Sequence, residues 1–370
     1  MTPLGSPTPA AASRVRPATF DDGEAIGRLH ERNGLGQLDA TAWRKSYETH
    51  PFPQEFPEFP LGWVLETENG AIAGSLGNVP MLYDLGGRKL RAAIASAWAV
   101  DAEYRGKSLH LLNSFYKQKG VELWLNGSAN PATSQVLTAI KMPRMPIPDY
   151  AVPCFWAVRP RAFAKAALER RSTPAAALLA YPAGLALLAR DIFLRSGRGR
   201  IRSDVQRVTG FDERFDRHWQ KLCQGTPRLR AYRNRAALEW RFGPALRQGH
   251  TAILTARQGE ELLGYTVLTR REGSELGMDL FDVVDLQAAG DDPAVLRDLL
   301  LGAFRLARKE GADAVKLMTG TPAKRAPAEA LRPYTYQLPL WQLYYKASTP
   351  ELTIELGKAE AWDFSLFDTY

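Results

Sequence analysis

Residues 91–110 leave the chain few ways to fold. They run Arg-Ala-Ala-Ile-Ala-Ser-Ala-Trp-Ala-Val-Asp-Ala-Glu-Tyr-Arg-Gly-Lys-Ser-Leu-His. The apolar stretch 92–100, broken only by Ser96, predicts a buried strand. Residues 101–107 predict a tight turn, and helical periodicity starts at Ser108. A strand that feeds a glycine turn into a helix points unpaired N–H groups and the positive end of the helix dipole at one spot. The chemistry that suits such a spot is a phosphate or pyrophosphate.

The flanking segments set the order of elements. Residues 62–68 and 71–85 read as strands parted by the turn Glu68-Asn69-Gly70. Residues 121–127 read as a further strand, and 135–141 as a helix behind Asn130-Pro131-Ala132-Thr133-Ser134. Upstream, 14–17 is a short strand, and Asp21-Asp22 caps a helix through Ile26, Leu29 and His30, which makes His30 a partly buried helix residue. Residues 50–60 hold four prolines and three phenylalanines, a stiff aromatic loop rather than a helix or central strand.

Arg105-Gly106-Lys107-Ser108-Leu109-His110, in this setting, resembles the pyrophosphate loop of the GNAT superfamily of acyl-CoA-dependent N-acyltransferases, Arg/Gln-x-x-Gly-x-Gly/Ala after a strand. Arg105, Gly106 and the preceding Glu103-Tyr104 fit the pattern, whereas Ser108 and His110 stand at its two small positions. The resemblance implies that Arg105, Gly106, Lys107, Ser108, Leu109 and His110 hold the pyrophosphate of acetyl-CoA or another acyl-CoA. It also implies that the strand edge at Trp98, Ala99 and Val100 pairs with pantetheine and supplies the oxyanion donor, and that Asn130 lines the cleft between splayed strands. A tyrosine that often protonates the departing thiolate is Leu137 here, so that role does not carry over. The loop 50–60 corresponds to an acceptor-side wall; packing on a neighbouring domain is the equal alternative.

With 370 residues and 45% hydrophobic content, the chain suggests two or three domains. We divide it into a disordered tail over 1–13, a first domain over 14–150, a basic and apolar helical connector over 151–210, and a second domain over 211–370. Cys154 and Cys223 stand far apart without histidine spacing, which indicates neither disulfide nor metal site and fits a reducing cytoplasm. The net charge of +8 permits anionic partners such as CoA, nucleotide sugars, tRNA or acidic lipid without choosing among them. Residues 175–189 are almost wholly apolar but short for a bilayer and broken by Pro182 and Gly184. A helix buried between domains is the expectation, and peripheral membrane contact through its basic flanks the alternative.

From 211 the chain begins again: helices over 211–219 and 233–242, strands over 250–256, 261–270 and 279–286, a helix over 293–309 and a strand over 314–319. The duplicated order resembles a second GNAT domain, which gives the fold class: tandem α/β (α+β) domains, each a twisted, mostly antiparallel mixed sheet flanked by helices. Ala288-Ala289-Gly290-Asp291-Asp292-Pro293 replaces the pyrophosphate loop there; its carboxylates repel an anion and its proline removes a donor. Arg233 to Arg241 and the final Trp362-Asp363-Phe364-Ser365 resemble a tandem-GNAT group often linked to cell-envelope or exopolysaccharide synthesis. The activity implied is N-acylation of a small-molecule amine, an amino sugar among the candidates. Transfer from aminoacyl-tRNA in the manner of Fem-type enzymes and a non-catalytic scaffold are the alternatives. A homodimer is a family expectation and DNA is not an expected partner. No general base is assigned: Asp101 and Glu103 read as turn and dipole residues, His110 as a phosphate ligand, and Asp282 and Asp285 point to opposite faces of a regular strand.

Overall fold

The computed structural model describes residues 13–195, 201–274, 277–337 and 342–369, so all but the last residue of the expected tail lies outside the described residues. The first half runs β1 (Ser13–Pro17), α1 (Gly23–Arg32), α2 (Ala40–Glu48), β2 (Gly62–Thr67), β3 (Ile72–Leu85), β4 (Arg88–Val100), α3 (Ser108–Lys117), β5 (Leu123–Ala129) and α4 (Pro131–Ala139). After β6 (Cys154–Ala157) and the helical hairpin α5 (Pro160–Arg170) and α6 (Ala176–Arg195), the order returns. It continues with β7 (Asp204–Val208), α7 (Glu213–Gln224), β8 (Leu229–Ala231), α8 (Arg235–Arg247), β9 (Thr251–Gln258), β10 (Glu261–Arg271), β11 (Leu280–Ala288), α9 (Pro293–Lys309), β12 (Ala314–Leu317) and α10 (Pro322–Ala330). β13 (Tyr334–Thr335), β14 (Gln342–Ala347), α11 (Pro350–Glu355) and short 3-10 turns follow.

Two seven-stranded sheets result: β1-β2-β3-β4-β5-β14, with β8 beside β3, and β13-β6-β12-β11-β10-β9-β7. Each is mixed, with one parallel pair apiece, β4 with β5 and β11 with β12. The strands do not keep to their own halves of the chain. β6 leaves the first half to pair with β12, while β14 leaves the second to pair with β5. Each exchange covers a strand edge that would otherwise lie open. A core drawn from both sheets, with Tyr83, Ile94 and Leu125 from one and Ile253, Tyr265 and Val284 from the other, closes around Trp362, Phe364 and Phe367.

The loop over 50–60 packs on the second half. The His50 ring stands edge-on to Trp240 at 5.0 Å, Phe52 to Tyr232 at 5.4 Å, and Trp240 Nε1 donates to Ser46 O at 2.7 Å.

α6 departs from the expected burial between domains. Its small residues Ala176, Ala180 and Gly184 form the inward face, so close to α5 that a Cβ on Gly184 would lie 2.8 Å from Arg161 Cα. Small side chains four residues apart make a narrow packing face, and the large ones are left outside. Among the described residues, no helix is long and apolar enough to cross a membrane.

Candidate functional site

β4 and β5 pair only through Ala92, Ala93 and Ile94, opposite Leu123, Trp124 and Leu125, and then diverge. On its other side β4 slips register against β3 between Ser96 and Ala99, so that Ala97 and Trp98 together oppose Leu76. A bulge of this kind inverts the phase of a strand. Ala93 and Ala95 face the α3 side before it, and Val100 does so after it. Ala97 holds the bulge at φ 46°, a left-handed conformation costing a non-glycine residue about 1–2 kcal/mol. On β3 the opposing Gly77 has no room for a side chain, since a Cβ there would come 2.6 Å from Ser96 Oγ. Beside this edge the buried Trp98 Nε1 has no hydrogen-bond partner among the described residues. A strand edge without its β5 neighbour and an orphan indole N–H suit an extended, amide-bearing ligand.

His30 of α1 lies against the same bulge. It is buried, its Nε2 sits 3.2 Å from Ser75 Oγ, and burial lowers its pKa even though the Ala97 backbone favours the charged form.

At the mouth of the divergence the expected tight turn is a 3-10 helix, Ala102–Lys107, running straight into α3. The Ser108 N–H is therefore bonded to Arg105 O rather than free. Gly106 needs no left-handed conformation, and a Cβ there would meet nothing within 4 Å, so its value is the open space it leaves. Arg105, Leu109 and His110 are exposed around it, and Lys107 Nζ reaches Ser13 Oγ at 2.9 Å. Asp101 is tied to Arg32 at 2.7 Å and to Asn33 at 3.0 Å; the Arg32 hydrogen bond holds its carboxyl below the usual range. It fastens α1 to the end of β4. Asn130 caps α4, its Oδ1 accepting from Thr133 N at 2.9 Å. Leu137 is fully buried, and a hydroxyl reaches α4 from elsewhere: Tyr344 of the exchanged β14 lies 3.1 Å from Thr138 Oγ1.

The second half repeats the framework and closes it. β11 pairs with β12 only over 280–283 and carries its own bulge at Val284. That bulge corrects the expectation for Asp282 and Asp285. Phe281 and Val283 before it and Leu286 and Ala288 after it all face the α9 side, so the two carboxylates share the opposite face. Both are already neutralised. Asp282 pairs with Lys316 at 2.7 Å, while Asp285 pairs with Arg233 at 3.0 Å and accepts from Tyr265 Oη at 2.8 Å. The C-terminal residues pack along β11 and add the rest of a buried network. Arg230 Nε donates to Asp363 at 2.8 Å, Lys324 bonds the same carboxylate, and Tyr83 Oη donates to Asp368 at 3.0 Å. Burial alone would raise the Asp363 pKa, yet Lys324, Arg230 and Arg233 hold it well below the carboxylate range. At α9 the helix donors are taken as well: Asp292 Oδ1 accepts from Ala294 N at 2.8 Å and Val295 N at 3.3 Å.

No family model and no curated protein matches the sequence. Among solved structures, the chain is similar to a conserved protein from Enterococcus faecalis V583 described as a probable N-acyltransferase, at 12% identity over 91% of this chain and 72% of that one, with a TM-score of 0.54. It is similar to Saccharomyces cerevisiae N-myristoyltransferase with bound myristoyl-CoA at 10% identity, over 92% and 79%, again with a TM-score of 0.54. A GCN5-related N-acetyltransferase from Kribbella flavida matches at 14% identity over 83% of this chain, with a TM-score of 0.49; the chain spans 64% of that protein's length. At these identities the likeness is one of fold. The chain has a GNAT-like α/β fold, two mixed sheets flanked by helices.

Proposed function

We propose that the chain is an acyl-CoA-dependent N-acyltransferase whose first half receives the donor and whose second half serves as scaffold and acceptor-side wall. The observation that carries this reading is the β4 bulge at Ala97 and Trp98 combined with the divergence of β4 and β5 beyond Ile94. Trp98, Ala99 and Val100 would take the pantetheine arm, with the open space over Gly106, the exposed Arg105, Leu109 and His110 and the half-buried Lys107 and Ser108 surrounding the pyrophosphate. Asn130 fixes the start of the facing helix. In the reaction an amine nitrogen bonds to the acyl carbon and the carbon–sulfur bond breaks; CoA leaves as the thiol, taking up the proton that the amine gives up. A developing oxyanion needs a donor aimed at it, and the unpaired edge near Trp98 offers one. The second half is a poor anion site, because Asp292 occupies the α9 donors. Acceptors to screen first are amino sugars of cell-envelope polysaccharides.

Calorimetric titration with acetyl-CoA, longer acyl-CoAs and CoA tests the donor site. We expect saturable binding that His110→Glu weakens by at least roughly tenfold, since a carboxylate beside a diphosphate is repelled. Absence of binding to any acyl-CoA would sink the assignment and bring transfer from aminoacyl-tRNA forward.

A further inference from the structure

We infer that the outward face of α6 docks on an anionic lipid surface. Leu178, Tyr181, Leu185 and Ile192 are 71%, 51%, 68% and 62% exposed, and Leu179 and Leu188 are exposed beside them. Between Arg171 and Arg190 the chain carries no charged residue at all. At about 100° per residue, the exposed positions from Leu188 round through Leu178 to Leu179 sweep roughly half the circumference. Contiguous apolar surface of this kind marks an interaction site.

The charges around the face select the partner. Arg161, Arg170 and Arg171 are exposed and have no carboxylate partner among the described residues. Instead the Arg161 guanidinium lies over the Tyr181 ring at 3.4 Å and that of Arg170 over Tyr336 at 5.0 Å. The nearby acids are already engaged: Glu169 pairs with Lys165 at 3.1 Å and the buried Asp191 with Arg190 at 3.3 Å. An apolar helix face edged by cations matches the interfacial zone of a bilayer with anionic headgroups. A second copy of the chain fits less well. A helix seam is narrower than half a turn and is flanked by charges of both signs, and Pro182 lies within this face. At one margin of the face, Ala183, Ala186 and Leu187 continue into an apolar cavity of about 640 Å³ bounded by Phe155, Phe163 and Met278, with Arg170 and Arg171 in its wall. The face thus has depth as well as width, and an acyl chain of the leaflet has a place to enter.

Co-sedimentation of the full chain with vesicles tests the inference and needs no assay of activity. Vesicles of phosphatidylcholine with about a third phosphatidylglycerol should bind at least roughly tenfold more tightly than pure phosphatidylcholine, and the gain should shrink at high salt. Leu178→Glu/Leu185→Glu should abolish binding to both vesicle types with an unchanged circular dichroism spectrum. Arg170→Gln/Arg171→Gln should remove only the anionic preference. Equal binding of wild type and the Leu178→Glu/Leu185→Glu variant would overturn the inference. So would a failure to bind vesicles accompanied by a dimer, seen in sedimentation velocity, that this variant dissociates.

Discussion

At the scale of single residues, burial decides what each polar group can do. His218 is 1% exposed, its Nδ1 lies 3.2 Å from Leu262 O, and burial lowers its pKa to about 4. His50, wedged among Phe52, Phe56 and Trp240, is lowered to about 4 by the same cause. An unfolded histidine titrates near 6.5, so between pH 6.5 and 4 the unfolded chain binds more protons than the folded one. The stabilisation from a neutral imidazole is complete above pH 6.5 and is lost as pH falls toward 4. For His218 the loss should reach about 3 kcal/mol at pH 4. Urea unfolding at pH 7 and at pH 4.5 should show it, and His218→Asn should flatten the dependence; an unchanged slope would count against burial of a neutral ring. This window lies above that of the ion-paired carboxylates. Asp22 and Asp101, both lowered chiefly by arginine hydrogen bonds, lose their contribution only below about pH 4.

The element that matters most is β4, because its bulge converts a regular strand into a binding edge. The left-handed φ at Ala97 tolerates alanine at a cost and a β-branched residue far less. Ala97→Val should therefore straighten or distort the bulge, lower stability by about 1–3 kcal/mol and weaken acyl-CoA binding by more than roughly tenfold. Ala97→Gly should keep the binding and gain up to about 1 kcal/mol. Denaturant titration paired with calorimetry separates the two effects. If Ala97→Val binds acyl-CoA like the wild type, the bulge is not part of the donor site.

For the whole molecule, the exchange of β6 and β14 makes the two sheets a single cooperative object. Arg233 bonds both Asp285 of β11 and Asp368 of the C-terminal segment, and Asp368 in turn accepts from Tyr83 of β3. Neither sheet can shed that segment without leaving charges buried and unpaired. Differential scanning calorimetry should show one transition. Asp363→Ala, which strands Lys324 and Arg230, should lower that transition by the equivalent of about 3–5 kcal/mol. Two resolved transitions would mean that the sheets are energetically separable despite the exchange.

Residue pattern alone was enough to identify most elements and their order. The apolar run 92–100, the Glu68-Asn69-Gly70 turn and the helix at 293–309 follow from periodicity and turn chemistry that act over a few neighbours. The repeat of that order is legible as well, and it returns as one parallel strand pair in each sheet, while the acidic Asp291-Asp292 before Pro293 marks a helix start whose own N–H donors Asp292 takes. What periodicity does not reveal here is a one-residue bulge, because strands as apolar on both faces as 92–100 and 280–286 carry no clear alternation whose inverted phase could show it; the shared face of Asp282 and Asp285 and the edge at Trp98 thus belong to tertiary structure. Nor can it register pairing between strands that lie far apart in the chain, and so β14 beside β5, with Tyr344 reaching α4, emerges only in the folded protein. Apolar composition likewise made 175–189 helical without fixing its environment. The small residues of α6 pack against α5, and that choice, made by shape at close range, leaves the large ones facing outward.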